Sequence, residues 1–89
     1  MPEFVAEQYF PRAGTASASQ AGKAARRAAE QLARKGAQIE LVRSIFIPDD
    51  ETCLFIYEAD SLETVRVAGE RAALAFERIV QAAGEVTLP

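Results

Sequence analysis

The sequence predicts a small α+β domain in the order β-α-β-β-α-β, with four antiparallel strands in one sheet and two helices on one of its faces. Three observations carry this. Stretches of strand-type alternation are separated by two segments with helical apolar spacing. The two middle strands are joined by only four residues, Pro48-Asp49-Asp50-Glu51, so they pair as an antiparallel hairpin. The 89 residues leave room for one core, so residues 1–89 are expected to form a single domain.

Residues Glu3 to Phe10 (EFVAEQYF) read as the first strand, with Phe4, Ala6 and Gln8 on one face and Val5, Glu7 and Tyr9 on the other. Pro11 cannot donate a ladder hydrogen bond and Gly14 follows it, so the strand stops there. The first helix follows Thr15–Ala18, and Ser17 with Gln20 fits a capping box. Ala18, Ala21, Ala25, Ala28 and Leu32 fall on one stripe, whose small side chains allow close approach to a sheet. Lys23, Arg26, Arg27, Glu30 and Arg34 lie mainly on the other side and read as a solvated face, with Arg26–Glu30 and Glu30–Arg34 spaced for weak pairs. Gly22 weakens the helix, and Lys35-Gly36 ends it with glycine in the left-handed position.

Gln38 to Ile47 (QIELVRSIFI) is the second strand. Simple alternation puts Ile39, Leu41, Arg43, Ile45 and Ile47 on one face and Glu40, Val42, Ser44 and Phe46 on the other. Thr52 to Ala59 (TCLFIYEA) is the third, rich in aromatic and branched residues. Asp60-Ser61-Leu62-Glu63 starts the second helix, with Asp60 as cap and Glu63 closing the box. Its inner stripe is Leu62, Val65, Gly69 and Ala72, and it runs to about Ala73. Leu74-Ala75-Phe76 is expected to plug the core. Arg78 to Val86 is the fourth strand, with a break or bulge at Gly84.

Both helices would cover one sheet face and leave the other open. That face carries apolar side chains from every strand, and a chain this short buries only about 60–65 % of its unfolded surface. With 49 % apolar residues, a second copy of the chain is the expected cover.

Composition narrows the chemistry. Histidine is absent, which removes the usual metal ligand and the usual general base near neutral pH. The single cysteine, Cys53, excludes an internal disulfide and fits a reducing, cytoplasmic setting. Without an activating histidine it reads as a small apolar side chain, not a nucleophile. Thirteen acids against ten bases give a net charge of −3, which argues against nucleic-acid binding. No membrane span or secretory leader is expected from the hydropathy pattern.

Four residues are candidates for holding a ligand. Glu7 and Arg43 are charges inside otherwise apolar strands, and Tyr9 shares a face with Glu7. Together they could form a polar patch in an apolar pocket for a small organic ligand, or Glu7 and Arg43 could simply pair. Tyr57 and its neighbour Glu58 must face opposite ways, so one of them joins the patch; Tyr57 is taken as the candidate. Asp49, Asp50 and Glu51 lack the spacing of a calcium loop and read as a solvated hairpin tip. Glu70, Arg71, Glu77 and Arg78 surround the end of the second helix and read first as surface pairing and capping.

The first strand EFVAEQYF, the hairpin RSIFIPDDETCLFIYEA and the run AGERAALAFERIVQA resemble a family of small bacterial ferredoxin-like proteins of largely unknown function. That family includes a nickel-binding, nickel-responsive actinobacterial member. The resemblance implies a ferredoxin-like fold and a cytoplasmic homodimer whose open sheet faces meet. The nickel-binding branch looks histidine-bearing, including just before the E-R-A run, where this chain has Gly69. No metal ligand is therefore carried over, and no cofactor is expected.

These readings lead to a non-enzymatic dimeric binding protein that holds a small ligand or, by the family resemblance alone, a metal ion; a purely structural or accessory partner of a larger complex is a further reading. The alternative is a cofactor-independent isomerase, cyclase or oxygenase of the dimeric α+β barrel kind, with Glu7, Tyr9 and Arg43 in acid–base and anion-holding roles.

Overall fold

The computed structural model describes residues 1–83. Strand β1 (Glu3–Tyr9) is followed by helix α1 (Thr15–Arg34), strand β2 (Ile39–Ile47), a short 3-10 turn at Pro48–Asp50, strand β3 (Thr52–Ala59), helix α2 (Leu62–Arg71) and strand β4 (Arg78–Ala82). The four strands form one antiparallel sheet in the order β2-β3-β1-β4. This is the ferredoxin-like arrangement. The end proposed for β4, including Gly84, lies outside the described residues.

The core lies between the helices and one sheet face. β1 contributes Phe4 and Ala6, β2 contributes Ile39 and Leu41, and β3 contributes Cys53, Phe55, Tyr57 and Ala59. From above, α1 presses down Ala18, Ala21, Ala25 and Ala29, and α2 adds Val65 and Ala68. Ala18, Ala21 and Ala25 of the expected stripe serve as expected, Ala29 joins them in the core, and Leu32 is only partly buried. Leu74 and Phe76 close the space beside α2, and the Phe76 ring packs on Phe55 at 5.2 Å and Tyr57 at 6.1 Å between centroids.

Local chemistry departs from the expected pattern in three places. α1 starts directly after Gly14 with no side-chain cap, so Ser17 lies inside the helix. α2 is capped by Ser61, whose hydroxyl accepts the Thr64 N–H at 3.2 Å, while Asp60 accepts from the Thr64 hydroxyl at 2.6 Å. Glu63 pairs instead with Arg66, which also reaches Glu70 at 3.0 Å. Leu62 remains exposed, and the buried stripe of α2 is Val65, Ala68 and Gly69.

The third departure decides what each sheet face carries. β2 is irregular between Leu41 and Arg43. One extra residue there reverses the alternation. Ser44 and Phe46 then pair with the core residues Phe55 and Cys53, whereas Arg43 and Ile45 pair with Ile56 and Leu54. Arg43, Ile45 and Ile47 therefore lie on the opposite face from Ile39 and Leu41, not with them as unbroken alternation required.

Both helices end in the same way. In α1 the Ala37 N–H returns to the Leu32 carbonyl and the Gly36 N–H to Ala33, with Gly36 at φ 102°. In α2 the Leu74 N–H returns to Gly69 at 2.9 Å and the Ala73 N–H to Glu70 at 3.0 Å. These are paired Schellman closures. The second places an alanine, Ala73, at φ 59°.

Candidate functional site on the open sheet face

The face turned away from the helices is laid out by the strand register in four rows. The first holds Glu40, Glu58, Glu3 and Ala82; the second holds Arg43, Ile56, Val5 and Val80. The third holds Ile45, Leu54, Glu7 and Arg78, and the fourth holds Ile47, Thr52 and Tyr9. Six aliphatic side chains thus run across the centre: Val5, Ile45, Ile47, Leu54, Ile56 and Val80. An antiparallel sheet that faced only water would alternate towards polar residues on this side.

Of the four candidate residues, three share this face. Glu7 and Tyr9 are two positions apart on β1, and Tyr9 is 53 % exposed. Arg43 is on β2, with β3 between it and β1. The register does not bring Arg43 opposite Glu7. The partner of Glu7 is Arg78 of β4, whose guanidinium stands 3.6 Å from its carboxylate. Glu77 accepts the Tyr9 N–H at 2.8 Å and donates its own N–H to the Glu7 carbonyl at 2.8 Å. The sequence places Glu77 and Arg78 around the end of the second helix and the start of the fourth strand but does not reveal this link, which depends on the β1–β4 register.

Tyr57 does not join the patch. It lies fully buried under the helices, paired with Phe4 and Leu41. Its hydroxyl has no hydrogen-bond partner among the described residues, and burial raises its pKa well above the usual phenol range. Glu58 takes the open-face place instead. Cys53 is also buried on the helix side, where burial pushes its thiol up. At the hairpin tip, Arg12 contacts Asp49 at 3.1 Å and donates its N–H to Glu51 at 3.0 Å.

Shallow grooves run along the helices. One of about 400 Å³ lies between α1 and β2, and one of about 390 Å³ lies between α2 and β4. By register, the polar groups of the open face lie at two ends: Glu7, Tyr9 and Arg78 at one, and Arg43 beside Glu40 and Glu58 at the other. No helix among the described residues is long and apolar enough to cross a membrane.

A family model described as nickel responsive protein SCO4226-like matches residues 4–82. The crystal structure of SCO4226 from Streptomyces coelicolor A3(2) superimposes with a TM-score of 0.74 at 18 % identity, covering 94 % of this chain and 99 % of that one. This likeness is one of fold. No curated protein matches the chain.

The residues present do not fit nickel. Imidazole is the natural ligand and this chain has none. Among the described residues, no group of three or more histidines, cysteines, aspartates or glutamates stands close enough to hold a metal ion. Glu40, Glu58 and Glu3 do form a row, but carboxylates alone suit harder cations. Position 69, before the E-R-A run, is a buried glycine pressed against Phe76.

Proposed function

We propose a function from one premise: the chain belongs to the nickel-responsive SCO4226-like family. Its role in the cytoplasm is that of a homodimeric binding protein that carries out no reaction of its own. Two open sheet faces meet, and a small organic ligand is held between them by the polar groups at the rim. Glu7, Tyr9 and Arg43 supply these groups, with Arg78 holding Glu7 in place.

The observation that carries this reading is the aliphatic band Val5, Ile45, Ile47, Leu54, Ile56 and Val80 on the side without helices. A sheet face of that composition needs a second layer. A second copy supplies the same band, so one patch can serve both partners of an isologous interface. The same pairing turns a flat surface into an enclosed one and brings the polar ends of two sheets towards each other. The arginine donors and the phenol hydroxyl suit anionic or hydroxylated groups of an organic ligand, and the chain offers no imidazole for a nickel ion.

Thermal-shift screening against small metabolites and divalent metals tests the reading, with Ile56→Lys as the comparison. The expected result is a metabolite that stabilises the wild-type protein and has no effect on the variant, which cannot bury its charge between two sheets. An equal response in both proteins would place the ligand elsewhere. A response to nickel alone would restore direct metal binding.

A further inference from the structure

The lining of the groove between α1 and β2 is mostly basic and hydroxyl-bearing. Ser19, Lys23, Arg26, Arg27 and Glu30 line it from the helix, and Gly22 and Ser44 line its floor. Positions 19, 23, 26, 27 and 30 share one flank of the helix by their spacing of three and four. Ser44 comes from β2, and it reaches this side only because the irregularity between Leu41 and Arg43 reverses the strand. Gly22 leaves the space for it: a β-carbon at position 22 would stand 2.6 Å from the Ser44 hydroxyl oxygen.

The charges here are unspent. Among the described residues, neither Lys23 nor Arg27 makes an ion pair. Arg26 donates to the Leu41 carbonyl at 2.9 Å, which fixes its guanidinium at the groove wall while leaving further N–H donors. The lining carries three cations against one carboxylate, Glu30, in a chain whose net charge is −3. A positive pocket on an acidic protein attracts anions locally where the whole molecule does not.

We propose that this groove binds a small phosphate-bearing molecule, with Lys23, Arg27 and the free donors of Arg26 on the phosphate oxygens and the Ser19 and Ser44 hydroxyls completing the shell. Its volume of about 400 Å³ admits a metabolite-sized ligand and not merely a bare ion. The site is on the helix side of the sheet and is independent of the ligand proposed for the open face.

Titration with inorganic pyrophosphate at constant ionic strength, followed by backbone amide NMR, tests it. Saturable shifts are expected at Ser19, Gly22, Lys23, Arg27 and Ser44. The Lys23→Ala/Arg27→Ala variant should bind at least about tenfold more weakly, the effect of losing charge-assisted hydrogen bonds. The control variant Arg34→Ala/Lys35→Ala, at the C-terminal end of the same helix and outside the groove, should stay within about twofold. Equal weakening in both variants, or shifts that do not saturate by about 10 mM, would overturn the site. A short single-stranded oligonucleotide should bind no more tightly than pyrophosphate; tighter binding would overturn the assignment to a small ligand.

Discussion

The ring of Phe76 fills the space that a side chain at Gly69 would need: a β-carbon there would stand 2.5 Å from Cε2 and 2.7 Å from Cδ2. The ring cannot simply retreat, since it packs on Phe55 and Tyr57. Two effects then compete in Gly69→Ala. Helix propensity favours alanine by about 1 kcal/mol. Overpacking costs about 1–3 kcal/mol. Overpacking should win, leaving the variant about 1 kcal/mol less stable in urea denaturation. In a Phe76→Leu background the same substitution should become neutral or stabilising. A destabilisation of the same size in both backgrounds would mean that the ring is not the cause.

Ala73 closes α2 in a left-handed conformation, where α1 uses Gly36 for the same job. An L side chain at that φ costs about 1–2 kcal/mol, and glycine gives back part of the gain as chain entropy. Ala73→Gly should therefore raise stability by about 0.5–1 kcal/mol. The melting temperature should rise accordingly. A fall would show that the α2 closure differs from the one described.

Tyr57 carries a polar atom into the core with no partner among the described residues. Tyr57→Phe keeps the ring and its contact with Phe76 and removes the unpaired hydroxyl. It should be neutral or stabilising by up to about 1 kcal/mol. A loss of more than about 1 kcal/mol would show that the hydroxyl is hydrogen-bonded in solution.

The element order was legible because its signals are local. Pro48 to Glu51 fixes the hairpin through turn chemistry, and the alanine spacing of α1 fixes its buried stripe. The faces of β2 were not legible. Ile39-Glu40-Leu41-Val42-Arg43 reads as unbroken alternation, and nothing in those residues marks the extra one. That one residue decides that Arg43 faces the open side and Ser44 faces α1. Tyr57 against Glu58 was equally undetermined, since register belongs to strand pairing and not to the strand itself. The pairing of Glu7 with Arg78 joins positions far apart in the chain, and only the completed sheet brings them together. The caps failed for another reason: runs such as Asp60-Ser61 offer two competent oxygens, and backbone geometry chooses between them.

The proposed binding role requires a second copy of the chain over the aliphatic face. Sedimentation equilibrium of the wild-type protein at micromolar concentration measures this directly. A mass near twice 9.6 kDa is expected, falling to 9.6 kDa in Ile56→Lys with the amide spectrum of the helix-side core unchanged. A wild-type protein that sediments as a single 9.6 kDa species at every concentration would contradict the account.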